Sequence, residues 1–298
     1  MTARGPATST AAMAADRRPG NLAHLERLLN TWSRENTDVQ ATAGRLRRLV
    51  AISVLATILD GLDQGGAPRL AFKGGASMEI RFGVAARASR DVDALVNVSL
   101  DDAFAEIGER LRVGWEGFTG KLTERSDITR AGITPSAQRC KIKLAYHDRP
   151  FATLAFELSR AEANSFELLE QIPNAVDMDK VQLGPAGDVV VLSVHYQIAQ
   201  KLHACTEVPA EDSNQRVHDM YDILLLAGII KNAQLAQTRA ACEDTFTHRG
   251  KQAWPPTVPA WDDWEQLWNA LDAPDDVRYS YSYARQRFEQ LIRQVAEA

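Results

Sequence analysis

The chain has 298 residues, 45% of them hydrophobic, enough for one large core or two smaller ones. A formal net charge of −5 excludes a protein that grips nucleic acid by bulk basicity, although it leaves room for one that confines positive charge to a cleft. No apolar run approaches the roughly 18 residues of a spanning helix, and Cys140, Cys205 and Cys242 have neither CxxC spacing nor an even count, which predicts a reducing cytoplasmic compartment, no membrane and no zinc.

Residues 1–19 are poor in large apolar side chains and read as a disordered tail that lacks the hydrophobic centre of a signal peptide. Residues 21–33 and 41–62 read as helices, the second with Leu46, Leu49, Val50, Val54 and Ile58 at helical spacing. Leu70-Ala71-Phe72 is a short buried strand. It runs into Gly74-Gly75, where the missing Cβ atoms let the backbone turn tightly and approach a ligand. A helix over 76–82 would then aim its unpaired N–H groups at a phosphate over the glycines.

The next strand, over 92–98, is entered through Asp91 and Asp93. Alternation puts these two carboxylates on one face, while Val92 and Ala94 point into the opposite layer. Such a pair is costly unless a cation joins it, and magnesium fits best, because it takes carboxylates together with substrate phosphates; manganese is the alternative. A helix over 101–112, with Ser99 and Asp101-Asp102 as caps, leads to two alternating runs. These are 139–146 and 151–159, joined by the turn His147-Asp148-Arg149-Pro150, and they read as a hairpin beside the aspartate strand. Lys141 and Lys143 share one face of that hairpin, toward either phosphate or solvent.

Gly184-Pro185-Ala186-Gly187 is a turn before a last strand over 189–192, and the pattern beyond it is mainly helical. Lys201 sits in a helical run whose Leu192, Ile198 and Leu202 face a core, where it is either a surface lysine or a point charge for a phosphate. Asp219 and Asp222, three apart on one helix face, suit ion pairing with Arg216 or Lys201. Pro255, Pro256 and Pro259 mark a loop, Trp261, Trp264 and Trp268 form a stripe of the buried kind, and 282–297 closes the chain as a helix. The pattern predicts an α/β (α+β) fold: a mixed-sheet core with N-terminal helices over 20–190 and a helical portion over 191–298 that contributes Lys201 and Asp219.

The segment Phe72-Lys73-Gly74-Gly75-Ala76-Ser77, followed by Ser89-Arg90-Asp91-Val92-Asp93, resembles the first motif of the AbiEii/AbiGii toxin group of nucleotidyltransferases. This group includes the mycobacterial MenT toxins and belongs to the DNA polymerase β-like superfamily. The chain departs from the motif in having Ala76 for threonine, Arg87-Ala88 for Arg-Phe and Arg90 for glutamate. Leu192–Glu207 is similar to the family helix that carries an essential lysine, here Lys201, and 216–225 to its RxxDxxDL helix, here with Asp219 and Asp222. The resemblance covers about Leu70 to Gly228.

The resemblance implies a polymerase β-like core and transfer of a nucleoside monophosphate from an NTP to RNA, with tRNA 3′ ends as the acceptor, which would block translation and growth. Protein or small-molecule acceptors, and a non-catalytic binding module that kept the fold, are the alternatives. It further implies metal ligands at Asp91 and Asp93 and nucleotide contacts from Gly74, Gly75, Ser77, Ser89 and Lys201. Asp219 would support Lys201, and Glu157, flanked by Phe156 and Leu158, would be the acid that helps deprotonate the incoming hydroxyl. The expected partner is a cognate antitoxin encoded nearby, and the expected form is a monomer.

Overall fold

The computed structural model describes residues 18–38, 41–60, 62–64, 67–128, 137–208, 214–273 and 279–298. The expected tail lies outside the described residues as far as residue 17. Arg18 and Pro19 are tied to the body of the protein, Arg18 by a 2.7 Å ion pair with Glu116 and Pro19 by the Tyr146 hydroxyl, which donates to its carbonyl.

Helices α1 (Leu22–Glu35) and α2 (Ala43–Leu59) lead the chain, each started by a side-chain cap, from Asn21 and Thr42 respectively. After a small ribbon of β1 (Asp63–Gln64) and β2 (Ala67–Pro68), strand β3 (Leu70–Lys73) passes directly into α3 (Gly74–Phe82). Then come β4 (Asp91–Val96), α4 (Leu100–Val113) with its Ser99 cap, β5 (Phe118–Ile128), β6 (Ala137–Tyr146) and β7 (Arg149–Arg160). Strands β8 (Leu169–Ile172) and β9 (Val189–Leu192) precede the helices α5 (Val194–Thr206), α6 (Val217–Ala227), α7 (Leu235–Arg249), α8 (Trp264–Asn269) and α9 (Tyr281–Glu297). Among the described residues no helix is long and apolar enough to cross a membrane.

Seven strands form one mixed sheet in the order β5-β6-β7-β4-β3-β9-β8, with β4 parallel to β7 and antiparallel to β3. Alternation along β4 sorts its residues between two cores. Val92, Ala94 and Val96 join α1, α2 and α4 on one face, while Leu95, with Ala71 of β3 and Leu192 of β9, joins the C-terminal helices on the other. Asp91 and Asp93 share the face of Leu95. Trp264 and Trp268 are buried in this second core, as the tryptophan stripe predicts.

The structure departs from the sequence reading in two places. The hairpin turn narrows to His147-Asp148, both with positive φ (44° and 60°), and Arg149 and Pro150 join β7 beside a bulge, where the missing proline N–H is tolerated. Strand β5 is long and mostly polar, and it breaks register after Thr123, at Glu124 with φ 57°.

His203 on α5 is fully buried against Phe246, with ring centroids 4.9 Å apart. Neither ring nitrogen has a hydrogen-bond partner among the described residues, and the Glu207 carboxylate stands 3.7 Å away. Burial pushes the imidazole from its ordinary 6.5 down to about 4. Between those values the unfolded chain binds a proton that the folded one refuses, so this residue costs stability progressively as pH falls from about 6.5 to about 4. His203→Phe keeps the aromatic contact and removes the penalty. Melting curves should show a midpoint raised by on the order of a few degrees at pH 5, with a smaller gain at pH 7.5; an equal shift at both pH values would refute the assignment.

Candidate active site

The turn between β3 and α3 is built for close approach. Gly74 has φ +60°, and a Cβ there would lie 2.4 Å from Asp93 Oδ2; one on Gly75 would lie 2.2 Å from Ser89 Oγ. The aspartate and the serine thus occupy the space that side chains at 74 and 75 would need. The first turn of α3 has no side-chain cap, so its amides remain available at this point. Ser77 is fully buried, its hydroxyl 2.8 Å from both the Gly74 carbonyl oxygen and Gln197 Oε1. It therefore braces the glycine turn from within the protein.

A row of charges crosses four strands on the face that carries the aspartates. Lys73 of β3 lies opposite Asp93, Asp93 beside Glu157 of β7, and Glu157 opposite Arg139 of β6. Arg139 donates to Glu157 at 3.2 Å, and Lys73 donates to the Ser159 hydroxyl at 2.7 Å. Asp91, Asp93 and Glu157 are all partly exposed. Burial first, and then the Glu157 and Asp91 carboxylates, push the Asp93 carboxyl up to about 6, against the pull of Lys73 and Lys201.

Among the described residues no three His, Cys, Asp or Glu side chains converge into a closed metal cage. An open pair of adjacent carboxylates, one of them resisting ionisation, is instead the donor set of a hard divalent cation that draws its remaining oxygens from substrate phosphates and water. Asp91 and Asp93 fit that group.

Beneath the row lies a buried chain of ions. Lys201 Nζ donates to Asp219 Oδ1 at 2.9 Å and to Asp222 Oδ2 at 2.6 Å, and Arg87 grips both oxygens of Asp222 at 3.1 and 2.8 Å. Arg216, more exposed, donates to Asp219 at 3.2 Å. Burial opposes the charges of Asp219, Lys201 and Arg87, but mutual attraction prevails: Asp219 is held at about 2, chiefly by Lys201, and Lys201 and Arg87 are raised.

Arg87, which the sequence offered only as a departure from the motif, is the ion partner of Asp222. Asp222, whose spacing suits ion pairing with Arg216 or Lys201, shares Lys201 with Asp219. Arg45 and Arg48 were missed altogether. Both pair with the buried Glu79, and from there Arg45 reaches the Ala86 and Arg87 carbonyls at 2.9 and 3.3 Å while Arg48 reaches that of Asp91 at 3.3 Å. A charged trio on α2 and α3 thus holds the loop that delivers the aspartates. The signal within reach was a glutamate inside an otherwise apolar helical run, which demands a cationic partner.

Replacing Lys201 by Met leaves Asp219 buried with only the exposed Arg216 and a distant His218 for company. Lys201→Met should lower unfolding stability at pH 7 by roughly 3–5 kcal/mol in urea titrations. Adding Asp219→Asn should recover part of the loss, and strict additivity of the two changes would contradict the coupling.

No curated protein matches the sequence. The fold is similar to that of MenT4, a nucleotidyltransferase toxin of Mycobacterium tuberculosis, at a TM-score of 0.58 and 16% identity over 92% of this chain and 90% of that one. An antigenic nucleotidyltransferase-like protein of Paracoccidioides brasiliensis aligns at a TM-score of 0.39 and 16% identity, over 70% of this chain and 89% of that one. Across residues 57–293 the chain matches the model of the nucleotidyl transferase AbiEii toxins of type IV toxin–antitoxin systems, and it belongs to that family.

Proposed function

We propose that the protein transfers a nucleoside monophosphate from an NTP to the 3′ end of tRNA in the cytoplasm, and so blocks translation and growth until a cognate antitoxin counters it. The observation that carries this reading is the pair Asp91 and Asp93, set side by side on β4 against a glycine turn with an uncapped helix start. Likeness in fold to a nucleotidyltransferase toxin supports it.

The α3 amides and the glycine turn receive the triphosphate, with the Ser89 hydroxyl, which donates to the Asp91 carbonyl at 3.0 Å, lining its edge. Magnesium, or manganese in its place, held by Asp91 and Asp93, supplies neutralisation of the phosphoryl charge when bound. The acceptor hydroxyl oxygen bonds to the α-phosphorus as the bond to the bridging oxygen breaks and pyrophosphate leaves. Glu157, whose carboxylate accepts a hydrogen bond from Arg139 at 3.2 Å, takes the hydroxyl proton. Lys201 acts from below, through its field on Asp93 and its hold on Asp219 and Asp222.

The test is incubation of the purified chain with each labelled NTP, magnesium and total cellular RNA. Label should enter the tRNA fraction at 3′ ends, and Asp93→Ala should reduce incorporation at least about a hundredfold. Label confined to protein or to small molecules would overturn the RNA reading. Growth inhibition that survives Asp91→Ala would overturn the enzymatic account of toxicity.

A further inference from the structure

The C-terminal helices cover only part of one sheet face. The strand residues that pack into their core, Ala71, Leu95, Leu169, Val190 and Leu192, come from β3, β4, β8 and β9. Beyond the carboxylate row, none of the described C-terminal helices packs its core on the same face of β7, β6 and β5. There Arg139, Lys141 and Lys143 of β6, Lys121 of β5 and Thr153 of β7 are all exposed, while the reverse face of these strands is apolar and packed.

The charges on this open face are arranged in register with the site. Arg139 ends the row that contains Asp93 and Glu157. Lys141 and Lys143 follow it along β6 at intervals of about 6.7 Å, and Lys143 lies directly opposite Lys121. Some of this charge is answered locally: Lys141 pairs with Glu124 at 2.5 Å, and Arg139 with Glu157 at 3.2 Å. Lys121 and Lys143 form no ion pair with a described acidic group, although Glu124 lies close enough to feel the Lys143 charge. Like charges facing each other across two strands cost the fold stability, and an anion laid between them removes that cost. A protein of net charge −5 thus carries an uncovered lysine face that starts at its reactive carboxylates.

We infer that this open β5-β6-β7 face is where the acceptor nucleic acid lies, its phosphates on Lys121 and Lys143 and its 3′ end leading along β6 to Asp93 and Glu157. The inference rests on the proposed transfer to RNA and adds the track that the acceptor follows. Phosphate backbone is the chemistry that matches: the described residues of the face offer flexible cationic heads and the Thr153 hydroxyl.

The test uses the full chain and the double variant Lys121→Glu/Lys143→Glu, with fluorescein-labelled total tRNA as the probe in anisotropy titrations across a salt series. The variant should bind at least about tenfold more weakly, and its salt slope should be shallower by about two units. Binding of a fluorescent NTP should stay within about twofold. Its melting temperature should stay close to that of the wild type, since the two substitutions exchange one like-charge pair across the strands for another. Transfer to RNA should show a raised KM for RNA and a nearly unchanged kcat. Equal tRNA affinity in variant and wild type would overturn this track and leave the proposed function standing. Failure of the wild type itself to bind tRNA would overturn both. Weak binding accompanied by a lowered melting temperature would be resolved by Lys143→Gln alone, which must still reduce affinity and the salt slope by about one contact for the track to hold.

Discussion

Two helical layers, built on opposite faces of one sheet, have to agree on the position of a single loop, and buried ion pairs make them agree. Residues 83–91 carry Arg87, whose guanidinium holds Asp222 of α6 on one side and whose carbonyl is held by Arg45 of α2 on the other. Tyr221 adds a hydroxyl bond to the Ala85 carbonyl at 3.1 Å. Because each charge is buried, removing one strands its partner in a medium where solvation cannot compensate, so the network behaves as a unit. Asp91 and Asp93 begin the strand that follows this loop. Their placement is therefore set by contacts that reach from α2 to α6, far outside the cleft.

The same logic accounts for the contrast between the two kinds of acid in this region. Asp219 and Asp222 are buried but answered by cations, and Asp219 stays ionised far below the usual range. Asp93 is also shielded from water, yet it has acidic neighbours as well as basic ones, and its proton is held up to about 6. One group of carboxylates is satisfied within the protein and the other is left wanting a positive charge from outside. That difference, rather than the number of acidic residues, separates scaffold from reactive site.

The sequence made legible whatever depends on local periodicity. The alternation around Asp91 and Asp93, the hairpin carrying Glu157 and the helix spacing of Asp219 and Asp222 needed no tertiary information, and Lys201 was already a candidate partner for these last two. What stayed hidden involved partners far apart in the chain: Arg45 with Glu79, and Arg87 with Asp222. Nothing in the run from Phe118 to Ile128 announced a strand of its own, because its exposed face is polar and its register breaks at Glu124. The Ser77 contacts with the Gly74 carbonyl and Gln197 stayed hidden for a related reason. A motif shows which residue type is wanted, but not whether its hydroxyl faces a ligand or a glutamine beneath the turn.

The supports of the reactive loop sit at an unusual place in the chain. Arg45 and Arg48 precede residue 57, where the match to the family begins, whereas the aspartates, Lys201 and the α6 acids all lie within it. The residues proposed for the chemistry and these two arginines therefore belong to separable stretches of sequence, while Glu79, Asp222 and Tyr221, which also hold the loop, lie inside the match. Substitutions at Arg45 and Arg48 change how firmly the loop is held without touching any residue of the matched range.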